Sequence, residues 1–396
     1  MEPGSQPHPI TDAPATNDAD AGADLADPAN NSASPIFEGS SPDALESSGL
    51  GWAFVGRGGM RAGWSILIFA AVFYFFRILI GTVLYLFGLV GEKREISAAI
   101  ILLGEAAALL ALIGTAALVG LLEGRRIPDY NLADRRLTQH LFSGLVCGFA
   151  ALSLLVGALV MGGWLRFGPA ALSGSQALRF ALLWGCAFLA VGAVEEGLFR
   201  CYGFFTLTRG IDFWWALVAE TALCTYLFLN GGGNGAFGVY AAAAVGLIPC
   251  LVVHFRSHAR SSFWQAAWVT STAFALYHTG NNGENWVGIF AAAFIGFVFC
   301  VSVRVTGSAW WAIGCHAGWD WAETYFYGTA DSGMVAQGHY LSATPAGNAL
   351  WSGGSDGPEG SLLVLAVILT LLVALLVVYS RRGRGLSSAP ATPTAS

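Results

Sequence analysis

The chain has 396 residues, of which 55% are hydrophobic and 11% are charged, and its formal net charge is −6. Water-soluble domains usually contain about 25% charged residues, so this composition excludes an ordinary soluble globular protein. Nine acids and no Lys or Arg lie within residues 1–50, so the rest of the chain has a net charge of −6 + 9 = +3 and does not form an acidic binding surface.

Residues 1–55 are predicted to form a disordered acidic tail. The first 50 residues include seven prolines and show no apolar periodicity. Such a segment cannot bury enough apolar surface to offset the entropy of ordering it. It lacks a basic start followed by an apolar run, so it is not predicted to be a signal peptide. A second disordered tail is predicted over residues 386–396.

Residues 56–385 are predicted to form an all-α, polytopic membrane bundle of about ten transmembrane helices, or eight plus a duplicated hairpin. A helix that crosses a bilayer needs about 20 predominantly apolar residues. The candidate spans are 62–90, 97–122, 140–162, 178–205, 213–229, 236–254, 263–280, 286–303, 308–326 and 361–380.

The distribution of basic residues predicts the orientation. With the N-terminus in the cytoplasm, the inside segments carry thirteen of the nineteen basic residues and the outside segments carry four. The loop 327–360 contains no Lys or Arg. Because basic residues are enriched in cytoplasmic loops, both termini are expected in the cytoplasm.

Two consecutive segments resemble each other. Residues 213–259 align with residues 263–309 at a constant offset of 50, without gaps, and the two loops match as well. This pattern favours a duplicated helical hairpin. His278 of the second copy corresponds to Phe228 of the first, so only the second copy carries the ionisable side chain.

Three predicted spans contain clustered ionisable residues, which cost several kcal/mol at membrane depth unless they are paired or face a polar cavity. Glu196 and Arg200 are four residues apart, on one helix face, and Glu195 points away from them. His316, Asp320 and Glu323 share a face of the ninth span, and His278 ends the seventh.

This constellation permits two kinds of chemistry. A carboxylate beside a neutral His can deprotonate a water molecule, while a second His with an acid can stabilise an oxyanion. Alternatively, Glu195, His278 and His316 could ligate a divalent metal such as Zn²⁺ and leave a water position open. The residues do not decide whether a metal or no cofactor is used.

Other polar or reactive residues in the spans are expected to be structural. Arg77, Glu105 and Glu220 are predicted to be isolated positions that face neighbouring helices. The seven Cys residues lie in apolar stretches without a Cys-x-x-Cys pair and are predicted to be small buried hydrophobes.

The three motifs together resemble the CPBP family of intramembrane proteases, which includes CAAX prenyl endopeptidases and bacteriocin-processing enzymes. The family pattern is Glu-Glu-x-x-x-Arg, Phe-x-x-x-His and His-x-x-x-Asn/Asp, each on a membrane helix. Here Glu195-Glu196 with Arg200, Phe274 with His278, and His316 with Asp320 match it, and the flanks resemble the bacterial branch. The resemblance covers about residues 140–330, with Asp in place of Asn and a gap between the first two motifs about 50 residues longer than usual.

The resemblance implies an intramembrane endopeptidase that hydrolyses peptide bonds of a membrane protein or peptide. Glu195 and His278 would activate water, His316 and Asp320 would stabilise the oxyanion, and Glu196 and Arg200 would support them. Only one Lys among nineteen basic residues, with many Ala and Gly, suggests a high-GC bacterium and its inner membrane. The expected partners are the substrate and the lipid bilayer, not nucleic acid. An ion-coupled transporter and a non-catalytic membrane scaffold or immunity protein of the same fold are the alternatives.

Overall fold

The computed structural model describes residues 54–56, 59–90, 97–230, 247–256, 261–281 and 283–386. Helices dominate these residues, which confirms the predicted all-α class. The ten main helices of the described residues are α1 (Ala62–Leu86), α2 (Ala98–Glu123), α3 (Leu137–Met161), α4 (Gly174–Thr208), α5 (Phe213–Asn230), α6 (Leu247–Arg256), α7 (Ser261–His278), α8 (Trp286–Thr306), α9 (Trp310–Asp320) and α10 (Leu363–Leu386).

Nine of the ten predicted spans begin within four residues of one of these helices, and α6 lies in the tenth, 236–254, which is only partly described. Among the described helices, α1, α2, α3, α4 and α8 are long and apolar enough to cross a membrane, so the chain is a multi-pass membrane protein. The predicted tails lie almost entirely outside the described residues, as does the first loop of the proposed repeat.

Small residues let α3 and α9 pack with their backbones in close contact. Gly144 and Gly148 on α3 face Gly314 and Gly318 on α9. A Cβ atom at any of these four positions would collide with the facing backbone. Glycines four residues apart are typical of close helix contacts in membranes, and here they place α9 against the bundle.

The α-helical backbone changes to π-helix within the ionisable motif of α4 and directly after Asp320 at the end of α9. In α4 the π-helical segment is Gly197–Gly203, which follows Glu196. After α9 the segment Trp321–Tyr327 is π-helical and follows Asp320. The predicted spans were continuous α-helices, so this is a difference from the prediction. π-Helical turns are often found at functional sites, because they rotate the following side chains relative to the α-helical register.

The loop after α9 folds over one end of the bundle. Its strand Ala343–Pro345 pairs antiparallel with Leu165–Phe167, and it includes the short helices Ala349–Ser352 and Pro358–Gly360. Gly333 of this loop approaches Gly283 so closely that neither position has room for a Cβ atom. The loop is therefore packed against the connection between α7 and α8. Elsewhere, Val55–Gly56 pairs with Gly59–Met60, and Ile127–Asp129 forms a 3₁₀ turn.

The predicted extra hairpin does not separate α4 from α7. The rings of Phe204 and Phe263 meet edge to face at 5.0 Å, and Phe199 meets Phe274 at 5.2 Å. The side chain of Gln265 on α7 donates a hydrogen bond of 3.1 Å to the carbonyl of Cys250 on α6. The first two motifs are therefore adjacent in space despite the long sequence between them.

Candidate active site

Helices α4, α7 and α9 bring Glu195, His278 and His316 to one point. The Oε2 atom of Glu195 lies 4.0 Å from Nε2 of His278 and 3.8 Å from Nε2 of His316. Glu195 Oε2 is buried and accepts no hydrogen bond from the described residues. Because direct hydrogen bonds are about 2.7–3.2 Å long, these gaps are suited to a bridging water molecule.

The Phe-x-x-x-His spacing holds the ring of His278. Its Nδ1 atom lies 2.8 Å from the carbonyl oxygen of Phe274, one turn earlier in α7. A carbonyl oxygen can only accept a hydrogen bond, so Nδ1 carries a hydrogen and donates this bond. In the neutral ring, Nε2 then presents a lone pair toward Glu195.

Glu196 and Arg200 lie behind His316 and are completely buried. The Nδ1 atom of His316 lies 2.9 Å from Oε1 of Glu196, and Oε2 of Glu196 lies 3.2 Å from Nε of Arg200. Neither residue lines the cavity described below. Glu196 contacts Nδ1 of His316, while Glu195 lies near Nε2 of the same ring, and Arg200 would act through Glu196.

Aromatic rings enclose the guanidinium of Arg200. Its central carbon lies 4.1 Å from the ring centre of Phe274 and 5.4 Å from that of Phe299. A cation over an aromatic face is stabilised where water is absent. Phe274 therefore contributes to the site twice, through its carbonyl to His278 and through its ring to Arg200.

Asp320 lies one turn after His316, and its Oδ2 atom is 3.4 Å from Nε2 of His316. Both side chains line the cavity with Glu195 and His278. The four predicted residues that would contact substrate thus share one chamber. This placement was expected from the i, i+4 spacing on α9, but the distance to Glu195 required the tertiary structure.

The chamber has a volume of about 870 Å³. Its apolar wall includes Phe188, Val191, Phe299 and Ile368, and no Lys or Arg is found among the described residues that line it. A cavity of this size can hold several residues of a peptide. Its mixture of apolar wall and clustered polar groups is typical of a binding site.

Glu105 of α2 also lines the chamber, whereas sequence reasoning treated it as an isolated structural position. It lies within electrostatic range of Glu195 and of Arg77 on α1. No local motif marks Glu105, so only the packing of α2 against α4 shows that it faces the site.

Sequence reasoning also missed acidic residues at the end of the chamber covered by the loop after α9. Asp331 and Glu359 line the chamber there, together with Glu284 from the connection between α7 and α8. Burial and the neighbouring Asp356 raise the pKa of Glu284 to about 8, and burial raises the pKa of Asp356 to about 7. Burial also raises the pKa of Asp331 and of Glu359. These residues lie in loops, where spacing on a helix gives no signal.

A metal ion is the other possibility that the sequence left open. Two His and one carboxylate are a known ligand set for catalytic zinc. Within the described residues, however, no group of three or more His, Cys, Asp or Glu side chains is placed to hold a metal ion. The donor atoms of Glu195, His278 and His316 therefore do not fit a metal as they stand, and the chemistry below uses the side chains alone.

Comparison with known families gives a match over part of the chain. Residues 250–322 match the model of the type II CAAX prenyl endopeptidase Rce1-like family. The resemblance to the CPBP family is thereby confirmed. The matched segment contains His278, His316 and Asp320 but ends before the loop after α9 and begins after the Glu195 motif. No curated protein and no solved structure matches the chain.

The family match covers less than a fifth of the chain, and Glu195 and Glu196 on α4 lie outside it but are close in space to His278 and His316. Glu196 is hydrogen-bonded to His316, and Glu195 faces both histidines. The family match supports protease activity in a membrane in general. The assignment to the bacterial branch stays a prediction.

Proposed function

We propose that this chain is an intramembrane endopeptidase in which Glu195 and His278 activate a water molecule. The observation that carries the proposal is the unpartnered Oε2 atom of Glu195, 4.0 Å and 3.8 Å from two histidine Nε2 atoms in a chamber of about 870 Å³. The CPBP match supports this class of activity.

The geometry suggests how water would be held. Glu195 Oε2 and the Nε2 lone pair of His278 each accept one hydrogen bond from a water molecule between them. The carboxylate then takes a proton as the water oxygen attacks the carbonyl carbon of the peptide bond. The same proton is delivered to the leaving amine when the C–N bond breaks, which restores Glu195.

His316 is suited to stabilising the negative charge on the carbonyl oxygen. Glu196 accepts a hydrogen bond from Nδ1, so the ring directs Nε2 into the chamber beside Asp320. With a proton on Nε2, His316 donates to the oxyanion of the tetrahedral intermediate, in a site largely shielded from water. The buried Glu196–Arg200 pair keeps the ring in this orientation.

The proposed location follows from the sequence. We place the catalytic bundle within residues 56–385, its CAAX-protease-like core at about 140–330, and the tails 1–55 and 386–396 outside it. Both termini lie in the cytoplasm of a bacterial cell, and the substrate is a membrane protein or peptide.

The test uses the purified full chain in liposomes with a peptide library, and mass spectrometry of the products. Glu195→Gln and His278→Ala should each reduce cleavage at least a hundredfold while the protein stays folded. Glu220→Gln is the matched control, because Glu220 is a fully buried glutamate of α5 that does not line the chamber. Unchanged cleavage in Glu195→Gln would refute the proposal. Proton flux that is lost in Glu196→Gln, without any cleavage, would instead favour the transporter.

A further inference from the structure

Five carboxyl side chains form a cluster at the loop-covered end of the chamber, here called the acidic end: Glu284, Glu323, Asp331, Asp356 and Glu359. The indole Nε1 of Trp319 lies 3.0 Å from Oε2 of Glu323 and 2.7 Å from Oε1 of Glu359, so these two carboxyls are neighbours. A Cβ atom added at Gly288 would collide with a carboxyl oxygen of Glu284 and with one of Asp356. These two carboxyl groups are therefore also close to each other.

Two of these carboxyl groups each have one oxygen without a hydrogen-bond partner among the described residues. Glu323 and Asp356 are completely buried, and within the described residues neither Oε1 of Glu323 nor Oδ1 of Asp356 has a hydrogen-bond partner. A buried polar atom without a partner costs about 1–3 kcal/mol. The other oxygen of Glu323 accepts a hydrogen bond from the indole of Trp319, which also donates to Glu359. Of these two carboxyls, Glu359 lines the chamber. A cationic ligand in the chamber would favour the ionised forms of Asp331 and Glu359, which line it, and would offset the repulsion within the cluster.

The acidic end lies at a defined distance from the reaction centre. His316, Asp320 and Thr324 all line the chamber, and Thr324 donates a hydrogen bond of 2.6 Å to Oδ2 of Asp331. Thr324 lies eight residues after His316, which corresponds to at most roughly 12 Å at the α-helical rise of 1.5 Å per residue, because the π-helical turn after Asp320 rises less per residue. An extended peptide advances about 3.3 Å per residue, so this distance spans three to four residues.

The shape of the cluster discriminates among cations. The described His, Cys, Asp and Glu residues include no group of three or more that is placed to hold a metal ion. Carboxyls spread over a wider area suit an ammonium or guanidinium group, which offers several N–H donors at a distance from its centre.

We propose that the acidic end binds a Lys or Arg side chain of the substrate, about three to four residues from the bond that is cleaved. This inference rests on the proposed function, because it assigns the substrate class of the same chamber. Asp331 and Glu359, which line the chamber, would form the direct contacts as carboxylates that ionise when the cation binds, and Glu284, Glu323 and Asp356 lie behind them.

The experiment measures binding separately from cleavage. The full-length Glu195→Ala variant in phosphatidylcholine nanodiscs is titrated with fluorescent apolar peptides that carry one Lys or one Nε-acetyl-lysine at the same position. Acetylation keeps the length of the side chain and removes its charge. We expect the Lys peptide to bind at least tenfold more tightly at the best position. In the background of that variant, Asp331→Asn with Glu359→Gln should reduce the ratio to near one, whereas Asp129→Asn, on the far side of the bundle, should not change it.

Equal affinity for the two peptides at every position would overturn the inference, even if the wild-type protein cleaves both. With the wild-type chain, product masses should place Lys or Arg three to four residues from the cleaved bond. Tighter binding of the Lys peptide without any cleavage would support the cation-binding site and refute the endopeptidase proposal. Failure of the one proposal can therefore be told apart from failure of the other.

Discussion

Glu196 Oε1 lies 2.9 Å from His316 Nδ1, which joins the first and third motifs directly. The remaining oxygen of Glu196 faces Nε of Arg200 at 3.2 Å. A chain of charged and polar groups thus runs from Arg200 through Glu196 to the ring that faces Glu195. Because each group holds the next in position, a substitution at Arg200 or Glu196 should alter the orientation of the His316 ring in the chamber.

The substitution Glu196→Gln tests these contacts between Arg200, Glu196 and His316. The amide oxygen can still accept from His316, but Arg200 keeps a buried charge without a counter-ion. Removing one partner of a buried ion pair typically costs about 3–5 kcal/mol of folding free energy. We expect a clear fall in the thermal unfolding temperature and at least tenfold slower cleavage. Asp129→Asn, in the surface pair Arg126–Asp129, should change stability by less than about 1 kcal/mol. Equal effects of the two substitutions would contradict the assignment.

Gly296→Ala tests the space around Arg200. A Cβ atom at Gly296 would lie 2.5 Å from Nη2 of Arg200, closer than such atoms approach each other. Since phenylalanine rings enclose the guanidinium, it cannot move freely, and the substitution should displace Glu196 and His316. We expect a lower unfolding temperature and reduced cleavage. Gly157→Ala is the matched control, because nothing lies within 4 Å of its Cβ position. A fully active, stable Gly296→Ala protein would show that Arg200 can move away without cost.

The acidic end predicts how stability depends on pH. Glu284 and Asp356 have folded-state pKa values of about 8 and about 7, above the ordinary values of these carboxyls. Their protonated forms are favoured in the folded state, so the folded protein binds more protons than the unfolded one between about pH 4 and 8. The stability that these groups contribute is therefore fully present below about pH 4 and is lost progressively as the pH rises to about 8.

We expect the unfolding temperature, followed by tryptophan fluorescence, to fall between pH 5 and pH 9. The double substitution Glu284→Gln with Asp356→Asn should reduce the slope of this dependence, because neither amide titrates. An unchanged slope in the double variant would assign the dependence to other groups.

Removal of metal ions should leave cleavage intact. The described side chains are not placed to hold a metal ion, and the proposed activation of water uses Glu195 and His278 alone. Protein dialysed against a chelator should contain less than one-tenth equivalent of zinc by elemental analysis and retain its activity. One equivalent of bound zinc, with activity that returns only on adding it back, would instead favour ligation by Glu195, His278 and His316.

Several features of the fold were accessible from sequence because they depend on local spacing. Apolar runs of membrane-crossing length placed the helices, since a bilayer requires the backbone to be hydrogen-bonded within each segment. The i, i+4 spacing grouped Glu196 with Arg200 and His316 with Asp320, because such residues share a helix face. The repeat, the tails and the orientation of the termini stay predictions.

What the sequence by itself determined is the helical membrane bundle and three motifs that resemble those of the CPBP family. Only the tertiary structure decided that His316 turns one nitrogen to Glu196 and the other toward Glu195, since this contact joins helices 120 residues apart. It also decided that Glu105, Asp331 and Glu359 face the same chamber. These residues have no periodic signal, because their positions depend on how α2 and the loop after α9 pack against the bundle.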